Sequence, residues 1–257
     1  MKNRAAILLA SFALIVIILG AYYTSETRAL PGSTVPSNVT DPSLEQILRV
    51  TGYVLAVGTV GLAAWVRNPA GWIALATVLA EVVTIGRPVA HAILAPVLLA
   101  SIVAAALMTS KSWQASPKLV ACNWKAATPL CMVMPVLVVM QIGLGAAYRH
   151  NEMGVISHIL NALIVLAVIL VAGIFVVRQY PEHPQLRPAA LALLIIAGIQ
   201  VLLGFTVYFV LLMSEQNNMG LIIIGVLHVA NGAVTLAASV VLAMQMNRNL
   251  VQSSGAN

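Results

Sequence analysis

The feature that most constrains this chain is the run AAILLASFALIVIILGAYY at residues 5–23, which carries no charged side chain. A helix of about 20 such residues spans the hydrocarbon core of a bilayer, and lipid leaves the backbone few alternatives to a helix that satisfies its own hydrogen bonds. Comparable runs recur at 88–109, 127–148, 153–177, 188–213 and 219–246. Two weaker ones lie at 47–66, between Arg49 and Arg67, and at 71–86, which holds Glu81. Composition agrees: 61% of the residues are apolar and 8% charged, with a mean hydropathy of +0.98, outside the range of water-soluble domains. The expectation is an all-α integral membrane protein of eight transmembrane helices.

Basic residues set the orientation. Lys2, Arg4, Arg67, Lys111, Lys118, Lys125, Arg178, Arg187 and Arg248 fall in alternate connections, nine against the four of Arg28, Arg49, Arg87 and Arg149 on the other side. The positive-inside bias therefore places both termini in the cytoplasm of a multi-pass protein of the cell (inner) membrane. It also accounts for the net charge of +6 without a nucleic-acid partner. The first run follows two basic residues as a secretory signal would, but it is long and no Ala-x-Ala site follows Tyr23, so an uncleaved helix is expected.

The sequence divides into four parts. Residues 1–110 form an N-terminal four-helix bundle, 111–126 (KSWQASPKLVACNWKA) a polar cytoplasmic linker, 127–250 a C-terminal four-helix bundle, and 251–257 a cytoplasmic tail. Internal likeness supports two tandem bundles. The first helix ends Gly20-Ala-Tyr-Tyr, the fifth contains Gln141-Ile-Gly-Leu-Gly145-Ala-Ala-Tyr148, and the seventh Gln200-Val-Leu-Leu-Gly204-Phe-Thr-Val-Tyr208. The third echoes them with Glu81 and Gly86, offset by one residue. One such glycine reads as close helix packing; the recurrence argues for duplication.

Chemistry concentrates in the histidines. Three of the five, His91, His158 and His228, lie inside the fourth, sixth and eighth apolar runs, all about 5 to 14 Å below the expected outer boundary. An imidazole in hydrocarbon is costly and points to a site, although a histidine bonded to a helix carbonyl is the plain alternative. Two imidazoles on facing helices of a bundle can clamp a haem iron axially, which makes His158 and His228 a candidate metal-binding pair. Only half of a matching pair, His91, occurs in the first bundle. Cys122 and Cys131 show no Cys-x-x-Cys or haem-attachment spacing and read as reduced, apolar fillers. No Gly-rich phosphate loop is present. His183, between two prolines, reads as solvated.

At these residues the chain resembles haem A synthase, the eight-helix enzyme that oxidises the C8 methyl of haem O to a formyl group. Leu-Gly-Ala-Ala-Tyr-Arg149-His150 is similar to the family's Gln-x-x-x-Gly-Ala-x-x-Arg-His. His228-Val-Ala-Asn231-Gly232 resembles its last-helix ligand segment, His91-Ala-x-Leu-Ala…Thr109-Ser110-Lys-Ser-Trp113 its fourth helix, and His158-Ile-Leu-Asn-Ala162 its sixth-helix His-Arg-x-x-Ala. The resemblance implies that His158 and His228 ligate a haem b and that His91 is an axial ligand of the substrate haem. It makes Glu45 the acidic residue implicated in the oxidation. The family's Glu-x-x-His departs here to Glu45-Gln-Ile-Leu48, and the outer loop 24–46 lacks Asp-Trp-Pro and a cysteine pair.

Arg149 and His150 are placed beside the haem edge, where cations meet propionates by charge-assisted hydrogen bonds. Ordinary interfacial snorkelling is the alternative for Arg149 and Arg87 alike. Glu81 is open between a protonated acid bonded to a neighbouring helix, a proton-relay group and an interfacial residue. Two functional classes follow. One is a haem A synthase-like oxidoreductase using haem b, with haem O as substrate and haem A as product. The other is a family-derived b-type cytochrome, an electron-transfer or structural subunit associated with cytochrome oxidase or another respiratory-chain complex; Leu48 favours it. A transporter is a third class, without the broken-helix pair that marks a midplane site.

Overall fold

A computed structural model of the chain describes residues 1–27, 42–84, 86–120, 124–213 and 219–251. It is all-helical apart from one two-residue strand pairing. The helices are α1 (Lys2–Thr27), α2 (Pro42–Val66), α3 (Pro69–Val83), α4 (Pro88–Met108), the single turn α5 (Lys111–Gln114), α6 (Trp124–Arg149), α7 (Val155–Gln179), α8 (Leu186–Met213) and α9 (Met219–Asn249). Seven are long and apolar enough to cross a membrane, and α3, at 15 residues, is the shorter apolar helix.

Helix ends follow local chemistry. The run at 47–66 extends back to Pro42, whose fixed φ suits a first helical turn. Asn68 caps α3 by accepting the Gly71 N–H at 2.8 Å, and Pro69 follows it. The same helix stops at Val83 rather than 86: Thr84 closes on the Ala80 carbonyl, Gly86 takes a φ of +86°, and Pro88 opens α4. The 111–126 segment is more structured than a polar linker. It holds α5 and the strand β1 (Leu119–Val120), and α6 begins inside it at Trp124. The expected tail beyond 250 starts in the strand β2 (Leu250–Val251), which pairs in parallel with β1; residues 252–257 lie outside those described.

Packing joins α1 to α2, α2 to α3, α3 to α4 and α4 back to α1; likewise α6 to α7, α7 to α8, α8 to α9 and α9 back to α6. Between these groups α4 lies against α6 and α9, and α1 against α9. Small residues permit the approach: α1 buries Ala6, Ala10, Ala13 and Ala21 at helical spacing, and α9 buries Ala230, Gly232, Ala233, Ala237 and Ala243. At the α7–α8 contact a Cβ on Gly173 would stand 2.8 Å from Leu194. The outward faces carry exposed Tyr53, Val57, Phe205 and Leu212, a surface suited to lipid.

Both described ends of the chain gather at one end of the helices. Asn3 donates to the Ala106 carbonyl at 2.7 Å, and the Arg248 guanidinium sits 4.6 Å over the Trp113 ring. The β1–β2 pair lies beside them in sequence. His183 is not solvated: it is 5% exposed, its Nε2 donates to the Pro117 carbonyl at 3.1 Å, and its Nδ1 accepts the backbone N–H of Gln185 and Leu186. A loop histidine was expected in water because its sequence neighbours are polar or proline. The orphan N–H groups at the start of α8 draw it inward instead.

Candidate functional site

Helices α6 to α9 bring His158 and His228 together. His158 lies one turn into α7 and His228 about two and a half turns into α9. Their ring centres stand 6.3 Å apart, with the planes at 77°. Each imidazole is admitted by a glycine on the preceding helix. A Cβ on Gly145 of α6 would fall 2.8 Å from the His158 Cε1, and one on Gly204 of α8 would fall 3.1 Å from the His228 Cε1.

Four residues before each glycine stands a glutamine, and it touches the same ring. The Gln141 amide nitrogen is 3.0 Å from Nδ1 and 3.3 Å from Nε2 of His158. The Gln200 amide nitrogen is 3.3 and 3.4 Å from the same atoms of His228. A hydrogen bond of about 3 Å along the Nδ1 lone pair would leave the donor roughly 5 Å from Nε2. Near-equal distances therefore put each amide against the ring face, off both lone-pair directions.

An asparagine three residues after each histidine completes the arrangement. Asn161 donates to Gln141 Oε1 at 2.8 Å, and Gln141 Nε2 donates to the His158 carbonyl at 3.0 Å. Asn231 donates to Gln200 Oε1 at 2.8 Å and to the Ile196 carbonyl at 3.1 Å. Carbonyl oxygens accept only, so these contacts fix which end of each glutamine faces the ring: it is the N–H end. The site is thus two copies of Gln-x-x-x-Gly on one helix facing His-x-x-Asn on the next.

The sequence reading named the histidines but gave no role to Gln141, Gln200, Asn161 or Asn231. The glutamines stood in the quoted repeats and the asparagines in the quoted ligand segments. The signal that finds them is the coincidence of both spacings in both copies. Interhelical side-chain hydrogen bonds of this type contribute about 0.6 kcal/mol each in a membrane, up to about 1.7.

His91 lies elsewhere. It is exposed, one turn into α4, and its Nδ1 meets the Glu81 carboxylate of α3. This is a third pairing of a polar side chain with a histidine across consecutive helices, with a carboxylate in place of the amide and Leu94 where the asparagine would stand. Glu45 is bound on its own helix, accepting from Arg49 at 2.5 Å on the surface of α2. Arg149 turns to α1, where it donates to the Ala21 carbonyl and to Ser25 Oγ, both at 2.5 Å. His150, next to it, donates its backbone N–H to the Ala146 carbonyl and closes α6. Cys131 is a buried free thiol in α6, whereas Cys122, most of the 24–46 loop and the side chain of Lys125 lie outside the described residues.

Among the described residues no three His, Cys, Asp or Glu side chains converge as a metal site. A bare cation wants three or four protein ligands. A metal already held in a macrocycle needs axial ligands alone, and two imidazoles are that donor set. No protein-family model and no curated protein matches this chain.

Proposed function

We propose that this chain is a membrane haem protein of the oxidoreductase class, in which His158 and His228 are the axial ligands of one haem b. The observation that carries it is the 6.3 Å between their ring centres. Two imidazoles bonded from opposite faces to one metal at about 2 Å each stand with their ring centres about 6 Å apart. The glycine-made recesses, and amides that lie off both lone-pair directions, fit the same group.

The fold proposed with it has eight spans in two tandem four-helix bundles. Here α3, about 22 Å long at 1.5 Å per residue, crosses with its capped ends and local thinning of the bilayer. Charge asymmetry then puts both termini in the cytoplasm. A bound haem supplies one-electron chemistry within the C-terminal bundle. Gly145 and Gly204 leave room for the ligand rings, and the apolar helix faces keep water from them.

On this reading the resemblance to haem A synthase names the reaction: oxidation of the C8 methyl of haem O, with His91 as ligand of the substrate haem in the N-terminal bundle and Glu45 beside it. A specific observation favours the second use, a b-type cytochrome of a respiratory complex. Leu48 stands at the second ligand position, and Glu45 is occupied by Arg49 on the helix surface. Haem extraction from the purified protein, with pyridine haemochrome and mass analysis, separates the three outcomes. Haem b together with haem O, its hydroxylated form or haem A supports the synthase. One haem b per chain supports the cytochrome. A protein that takes up no haem overturns both.

A further inference from the structure

Metal-bound histidines usually donate their second ring nitrogen to a carboxylate or carbonyl, which raises the basicity of the ligand. The pair at the centre of this chain is arranged the other way. Each ring face meets the N–H end of a glutamine: Gln141 is held in that sense by the His158 carbonyl and Asn161, and Gln200 by Asn231, itself fixed by the Ile196 carbonyl. Side-chain dipoles oriented by fixed partners act as permanent partial charges, and they act strongly where water is excluded. A positive dipole end therefore rests against the ring of each histidine, His158 and His228.

We infer that Gln141 and Gln200, held by Asn161 and Asn231, are positioning residues that raise the reduction potential of an iron bound between His158 and His228. This rests on the haem reading of the same pair. An oxidised haem centre carries one more positive charge than the reduced one. Positive dipole ends oppose that charge, and an N–H against the ring face withdraws electron density from the ligand, a weak contact whose recurrence in both copies gives it weight. Both effects favour the ferrous state. The Glu81–His91 pair in α3 and α4 has the opposite character, a carboxylate on Nδ1, so the two halves of the chain treat their histidines differently.

The test is redox titration of the full-length protein in nanodiscs, with electron paramagnetic resonance to report the ligand set. Gln141→Leu and Gln200→Leu should each keep one low-spin, bis-histidine haem per chain while shifting its midpoint potential downward. The double variant should shift further than either. Asn161→Ala and Asn231→Ala leave both glutamines in place but release their orientation, so they should shift the potential in the same direction by less; they serve if the leucine variants do not assemble. Midpoints that stay put or rise in variants retaining the bis-histidine signal would overturn the inference and leave the haem assignment standing. Absence of haem from the unmodified protein would instead sink the assignment on which it rests.

Discussion

His183 is buried and His228 half-buried in an apolar protein, and their hydrogen bonds give them different work. His183 has one nitrogen donating to Pro117 and the other accepting two N–H groups at the head of α8, so its ring atoms are consumed by the fold. His228 meets the Gln200 amide against its face, off both lone-pair directions. Substitution should separate the two. His183→Ala removes a helix cap, which costs about 1 kcal/mol, and should lower the thermal midpoint while leaving the haem spectrum unchanged. His228→Ala should abolish the low-spin signal. Retention of a full bis-histidine spectrum in the His228 variant would refute the ligand assignment, and loss of haem from the His183 variant would show that the α8 cap holds the site as well.

At the scale of elements, hydropathy made the helices legible because a bilayer demands the same apolar length of each span. The ends were less so. Pro42, Asn68 and Gly86 decide them through backbone geometry that a hydropathy count does not weigh. The β1–β2 pairing was invisible, since two residues at 119–120 carry no sign of partners at 250–251. In the site, histidines stand out against hydrocarbon, whereas Gln141 and Asn161 show in the sequence only as a spacing repeated at Gln200 and Asn231, and it is the facing helices that show they touch. The weakest element should be α3. It is the shortest apolar helix, and its helix neighbours are α2 and α4, whereas α9 packs against α1, α4, α6 and α8. Hydrogen exchange in nanodiscs should therefore exchange the amides of α3 well before those of α9, in line with local opening where few partners hold a segment. Equal protection of the two would mean that the α3–α4 contact, with its Glu81–His91 pair, holds α3 as firmly as a central helix.

The whole molecule carries its asymmetry at its two ends. One end collects Asn3, the 111–120 segment, His183 and Arg248, tied by contacts such as Arg248 over Trp113 and the β1–β2 pair. The other holds Arg149 against α1 and the Glu81–His91 pair. The distribution of Lys and Arg predicts that the first end is cytoplasmic, because translocating basic residues is disfavoured in short connections. Single cysteines placed at Ala115 and at Asn151, in a background without Cys122 and Cys131, test this directly. A membrane-impermeant maleimide added to intact cells or sealed right-side-out vesicles should label the Asn151→Cys protein and spare the Ala115→Cys protein until the membrane is opened. The reverse pattern would invert the molecule and move the His158–His228 pair to the cytoplasmic leaflet. Labelling of both from outside would require an even number of crossings between them, whereas α6 alone joins the two positions. With α6 crossing once, opposite sides are required, and α3 then has to span if residues 3 and 115 are to share a face: α1, α2, α3 and α4 make four crossings between them, and without α3 they make three.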